Sequence, residues 1–168
     1  MKKEYLNWTK RSMKEILLIT DGSCLKNPGG PGAWACLLRY QNVEKLFSGS
    51  VDSTTNNRME ILAVIEGLRH VQEPCKIQLL SDSQYVVNAF HKKWLDGWAR
   101  RNWVTASGTA VKNIDLWKIL LDLTIPHEIT WQWVRGHAGH ADQERVDELA
   151  LTTAKNRAAV LGWTWTRL

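Results

Sequence analysis

Cysteine is scarce in this chain, and the three present (Cys24, Cys36 and Cys75) are widely spaced. No two of them form a Cys-x-x-Cys pair, so neither a zinc site nor a disulfide framework is suggested, and they read as reduced thiols. Long apolar runs are also missing; nothing approaches the ~20 residues of a membrane-crossing helix. Residues 1 to 12 are polar and lack the apolar centre of a secretion signal. A cytoplasmic protein with no membrane partner is therefore expected. There is no internal repeat and no low-complexity tract. What remains is one domain of 168 residues, long enough to bury a sizeable core.

The net charge of +5 becomes informative once it is located. Residues 1–14 carry five Lys or Arg against one acid, and residues 91–112 do the same, so the rest of the chain is net negative at −3. Two basic patches on an acidic body suit a polyanion held by the patches while a cation sits among the acids. Charge alone would equally allow two solvated surfaces.

The chain is organised around Ile16-Leu17-Leu18-Ile19-Thr20-Asp21-Gly22-Ser23, an apolar run that meets a carboxylate. Such a run reads as a strand covered on both faces, with Asp21 where it stops. Ile77-Gln78-Leu79-Leu80-Ser81-Asp82 repeats the pattern. If the two strands are parallel neighbours, Asp21 and Asp82 lie about one strand spacing, ~4.8 Å, apart. In open α/β sheets that rim is where ligands bind. Between these strands, Trp34–Tyr40 and Leu46–Val51 form a hairpin about Gln41-Asn42. Thr54-Thr55-Asn56-Asn57 begins a helix to about His70. Ser83–Phe90 and Asn113–Leu123 read as helices, Ile129–Trp133 as a half-buried strand, and a last helix carries Val146, Leu149, Ala150 and Ala154 inward. The order gives an α/β fold with a mixed sheet, antiparallel at first and then joined by crossovers.

Asp21 and Asp82 stand out because each ends an apolar strand. Asp147 sits at the edge of a buried helix face, where an unpaired charge is expensive. Glu60, in a helix's first turn, would be stabilised there by the helix dipole without any function. Together they make a poor proton-transfer pair, since repulsion forces protonation, but a good oxygen site for Mg²⁺. Two such ions ~3.5–4 Å apart would serve a phosphodiester displacement. His137, in a Gly-flanked loop, reads as a metal ligand, a proton carrier or a surface residue.

Several stretches together resemble bacterial ribonuclease HI: Thr20-Asp21-Gly22-Ser23-Cys24, Asn27-Pro28-Gly29, Thr54-Thr55-Asn56-Asn57-Arg58-Met59-Glu60 and Ser81-Asp82-Ser83-Gln84-Tyr85-Val86. Val111-Lys112-Asn113-Ile114-Asp115-Leu116-Trp117, Trp131 through His140 and Glu144 through Ala150 continue the match. The resemblance runs in order from about Lys14 to Arg157. It implies a ribonuclease H-like fold: a five-stranded mixed sheet, three antiparallel strands and then parallel additions, with flanking helices and a basic handle at 91–112. Residues 1–13 are then a flexible basic extension, 14–157 the ribonuclease H domain and 158–168 a tail.

The resemblance further implies hydrolysis of the RNA strand of RNA–DNA hybrids, leaving 5′-phosphate and 3′-hydroxyl ends. Asp21, Glu60, Asp82 and Asp147 would hold two Mg²⁺ ions, with Mn²⁺ as a possible substitute, and His137 would assist proton transfer and product departure. Telling RNA from DNA needs contacts to the 2′-hydroxyl. By resemblance these come from Asn56, Asn57 and Gln84, with backbone groups of Gly22, Ser23 and Cys24. Asn27 and Thr55 would hold a DNA phosphate. Lys92, Lys93, Trp94, Arg100 and Arg101 of the handle, and Trp117 after it, complete the expected substrate contacts. Trp94, Trp98 and Trp103 are expected mainly to pack. Lys26 stands where a small residue is expected, and Gln143 at a loop position where many relatives carry Asn.

A monomer whose nucleic-acid partner is an RNA–DNA hybrid is expected. Protein partners are not indicated. The competing readings are a non-catalytic hybrid-binding module, which the loss of any of the four acids would favour, and an integrase or resolvase on the same fold. All four acids are present, and the amides beside them argue against a DNA-only enzyme.

Overall fold

The computed structural model describes residues 12–163; most of the basic extension expected at 1–13, and the end of the tail, lie outside them. Its element order is β1 (Lys14–Cys24), β2 (Gly32–Tyr40), β3 (Val43–Val51), α1 (Asn56–Arg69), β4 (Cys75–Ser81), α2 (Gln84–His91), α3 (Trp94–Arg100), α4 (Ile114–Thr124), β5 (Glu128–Trp133) and α5 (Ala141–Val160). The five strands lie in the order β3-β2-β1-β4-β5. β2 pairs antiparallel with β1 and with β3, whereas β4 runs parallel to β1 and β5 parallel to β4. This is the expected mixed sheet.

Helices cover the two faces unequally. Leu18, Cys36, Ile77 and Leu79 meet Ile61, Val64, Ile65 and Leu68 of α1, and Trp117 and Leu120 of α4, in the main core. Side chains alternate along a strand, so Leu17 and Ile19 point the other way and meet Val146, Leu149 and Ala150 of α5. Asp21, two residues beyond Ile19, falls on that second face. α5 lies on β1, β2 and β3. The same face of β4 and β5 stays exposed at Lys76, Gln78, Thr130 and Gln132. None of the described helices is long and apolar enough to cross a membrane.

Four local expectations change. β1 does not stop at Asp21; it runs on to Cys24 because β2 keeps pairing with it, Asp21 opposite Ala35 and Cys24 opposite Gly32. The parallel partner is shorter, and the ladder with β4 ends at Thr20 opposite Ser81. Asp21 is thus inside a strand on one side and beyond the ladder on the other. Second, the handle contains the helix α3, which periodicity did not reveal. Third, Gln143 belongs to the first turn of α5, not to a loop. Fourth, α5 runs on to Val160, past position 158 where the tail was expected to begin, and Ala158 is buried beside Leu25, Ala33 and Ala154 with Trp163 against them.

Candidate active site

Three elements deliver carboxylates to the rim where β4 ends. Asp21 comes from β1, Asp82 from the turn after β4, and Glu60 from the first half of α1. One oxygen from each lies within 4.8 Å of the other two. Asp147 of α5 brings its carboxyl against that of Asp21. His137 stands outside, with Nδ1 3.6 Å from Asp147 Oδ2 and its side chain 81% exposed.

The local structure explains the convergence. α1 can approach β1 this closely because position 22 is glycine: a Cβ there would sit 2.4 Å from the Glu60 backbone nitrogen and 2.4 Å from the Met59 carbonyl carbon. The nearby Gly22 amide works against burial, favouring the charged form of the Glu60 carboxyl. Asp82 is held from three sides. Ser81 Oγ accepts from the Ser83 amide at 3.1 Å, and Trp133 Nε1 donates to the Asp82 carbonyl at 2.9 Å. Gly136 comes so near that a Cβ would meet Asp82 Oδ2 at 2.8 Å. Behind Asp21, Gln143 Nε2 donates at 3.4 Å to the Thr20 carbonyl. Trp133 and Gln143 were not singled out as site residues, since a side-chain bond to a distant carbonyl leaves no spacing in the sequence.

Electrostatically the cluster is under tension. Asp21 is 3% exposed and Glu60 6%. Burial pushes the Asp21 carboxyl far above the usual range, and Glu60 and Asp82 push it further. Glu60 moves the same way, through burial and then Asp82. Asp82 is raised chiefly by burial. Asp21 Oδ2 and Glu60 Oε2 are buried without a hydrogen-bond partner among the described residues. Carboxylates placed so must either keep protons or share a cation. Three close hard oxygens, two with unused lone pairs, fit a divalent cation.

The expected substrate residues fall into two groups and one exception. Asn27, Thr55, Asn56, Asn57, Ser23 and Cys24 form a strip beside Glu60. It is laced together by Gly29 N to Thr54 O at 2.8 Å, Thr54 N to Gly30 O at 3.0 Å and Asn56 N to Asn27 Oδ1 at 3.1 Å. Thr55 caps α1, its side chain accepting from the Arg58 amide, and Cys24 Sγ lies 3.5 Å from the Thr54 carbonyl. Asn57 and Gln84 are exposed. Lys92, Lys93, Arg100 and Arg101 are exposed around α3, while Trp94, Trp98 and Trp103 pack partly buried against the main core. Trp117 is the exception. It is 0% exposed and donates its indole N–H to Tyr85 Oη at 3.3 Å, so it belongs to the core and not to the substrate surface.

A mixed α/β sheet thus carries at its rim a buried carboxylate cluster suited to a divalent cation, flanked by amides and a basic arm, and the relatives of this chain are nucleases. The RNase H family model matches residues 13–155. A ribonuclease H of Oleidesulfovibrio alaskensis is 56% identical over 138 residues, 82% of this chain and 89% of its own. The one from Thermus thermophilus is 51% identical over 145 residues, covering 86% and 87%. Among solved structures, LC9-RNase H1, described as a type 1 RNase H with the type 2 active-site motif, superposes with a TM-score of 0.79 at 34% identity, over 88% of this chain and 75% of that one. LC11-RNase H1 in complex with RNA/DNA hybrid shares the fold, with a TM-score of 0.64 at 15% identity over 84% and 97%. The chain belongs to the RNase H family.

Proposed function

We propose that this chain is an endonuclease that hydrolyses the RNA strand of RNA–DNA hybrids at the four-carboxylate rim, leaving 5′-phosphate and 3′-hydroxyl ends. The single observation that carries the reading is the convergence of Asp21, Glu60 and Asp82, with oxygens within 4.8 Å of one another, beside a strip of amides. Asp21 and Asp147 would hold one divalent cation, and Asp21, Glu60 and Asp82 a second. Two Mg²⁺ ions, or Mn²⁺ in their place, supply when bound the positive charge that the attacking and leaving oxygens of an in-line displacement require.

The chain's own groups do the rest. Asn56, Asn57 and Gln84 read 2′-hydroxyls, which both donate and accept, through amides that do the same. Backbone groups at Gly22, Ser23 and Cys24 lie on the same strip, and Asn27 and Thr55 face a phosphate of the DNA strand. Lys92, Lys93, Arg100 and Arg101 hold the duplex at a distance from the chemistry, where Trp94 lends a face to the sugar-phosphate edge. His137, exposed beside Asp147, would carry a proton between the reacting phosphate and solvent, a role its nearness to Asp147 supports. We place the protein in the cytoplasm and read it as a monomer.

The test is a labelled RNA–DNA hybrid beside matched RNA–RNA and DNA–DNA duplexes, with and without divalent cation. Cleavage of the RNA strand in the hybrid alone, and only with cation, is expected. Asp82→Asn should lower the rate at least ~100-fold, the loss expected when a group stabilising transition-state charge goes, with hybrid affinity within about threefold. Cleavage of all three duplexes, or a fully active Asp82→Asn, overturns the reading.

A further inference from the structure

The first turns of α1, α2 and α4 meet around one guanidinium. Arg58 Nη1 and Nη2 donate to the two oxygens of Asp115 at 3.0 and 2.7 Å, a fork-to-fork pair, and Nη1 also donates to Asn113 Oδ1 at 3.3 Å. Asn113 turns its other end to α2, where Nδ2 donates to Tyr85 Oη at 3.1 Å. That hydroxyl also accepts from Trp117. The Tyr85 ring lies 5.3 Å from Trp117, Trp117 lies 6.0 Å from Trp98, and Trp98 lies 6.0 Å from Trp94. A continuous chain of contacts thus runs from the handle to the first turn of α1.

Stability alone is a poor account of this arrangement. The Asp115 side chain is 60% exposed, and exposed ion pairs add little to folding. Asn113 takes the left-handed conformation, φ +63°, that asparagine tolerates better than most residues, so its side chain can bridge α1 and α2. What the network does fix is spacing. Arg58 follows Asn57 directly, and Tyr85 follows Gln84, so its two ends are the neighbours of two amides on different helices.

We infer that Arg58 is a positioning residue: through Asn113 and Tyr85 it sets the distance between Asn57 and Gln84, and so sets how well the strip matches the 2′-hydroxyls of an RNA strand. Two amides reading successive sugars must keep a fixed separation, because a mismatch at one forfeits the bond at the other. The guanidinium suits the task, since its planar fork resists rotation where an ammonium would not. The inference rests on the proposed hybrid recognition and deepens it.

The experiment measures kcat and KM on an RNA–DNA hybrid for the wild type, Arg58→Ala, Arg58→Lys, Tyr85→Phe and Gln84→Ala, and for Arg58→Ala with Gln84→Ala. Arg58→Ala and Arg58→Lys should raise KM by about five- to tenfold with kcat within about twofold, the scale of coupling within one shared network. Tyr85→Phe, which keeps the ring and its packing, should raise KM in the same direction. Losing Gln84 should cost markedly less in the Arg58→Ala background than in the wild type. Unchanged KM values, full rescue by lysine, or strictly additive losses overturn the inference, including when only the melting temperature falls. A wild type that does not cleave the hybrid sinks the proposed function instead, so the two failures are distinguishable.

Discussion

A carboxylate resists ionising where water is excluded and other acids are near, and Asp21, Glu60 and Asp82 meet both conditions. Their folded pKa values lie above the unfolded ones. Their contribution is therefore complete below the ordinary carboxylate range and is lost as pH rises through the raised values. The cation-free protein should lose melting temperature between about pH 5 and pH 9. Millimolar Mg²⁺ should flatten that decline by supplying the missing positive charge. Asp52, Asp115, Asp142 and Glu44, whose carboxyls are lowered by arginine partners, act only as pH falls below their usual range, and His127, lowered by burial, loses its contribution as pH falls through the usual imidazole range, so the decline above about pH 7 belongs to the cluster. Asp21→Asn should stabilise the cation-free protein at pH 8 by about 1–2 kcal/mol, the usual trade of activity for stability at such a site. Calorimetry with a chelator checks both, and a level profile would show that the cluster sheds its charge another way. These acids were legible because strand ends and helix edges leave a pattern in the chain. Trp133, Gln143 and Arg58 were not, because their work is a bond to a residue 50 or more positions away.

At the scale of elements, the β2–β3 hairpin, α1, β4, α2, α4 and β5 were readable from runs, alternation and turn residues, and each lies about where the pattern put it. Two were read incompletely. β1 outlasts its apolar run because a neighbouring strand keeps bonding to it, a fact about pairing and not about composition. α3 is seven residues long, has Gly97 in its middle and starts from left-handed Lys93 with no capping side chain, so Asp96 in its first turn is the one start signal it carries. Its basic and aromatic make-up was plain, its shape was not. If α3 and its flanks grip phosphates, replacing Lys92, Lys93, Arg100 and Arg101 together by alanine should weaken hybrid binding. It should also reduce the slope of log affinity against log salt by about four, roughly one per lost contact. Titration at several salt concentrations decides it; an unaltered slope removes the arm from the interface.

For the molecule as a whole, the question is what keeps α5 registered on the sheet, since it brings Asp147 to the rim. Its apolar face supplies most of the grip, but its first turn is also tied down by charge. Arg39 donates to both Asp142 and Glu44, and Arg145 does the same, a closed ring of four joining α5 to the β2–β3 hairpin. Asp142→Ala opens the ring. It should lower cation affinity and kcat by a few fold, with a larger deficit at low salt, where the intact ring is strongest. Isothermal titration with Mg²⁺ and rates at two ionic strengths would show it; unchanged affinity would leave the ring a surface ornament. The overshoot of β1 has a consequence at this scale too. One neighbour stops short while the other continues, so the reacting edge is a notch with a missing wall. A strand of nucleic acid can be laid in such a notch from the side, anywhere along its length, without threading an end. An open edge of that kind is what the proposed cutting in the interior of a polymer would require, and here it comes from how many residues each strand was given.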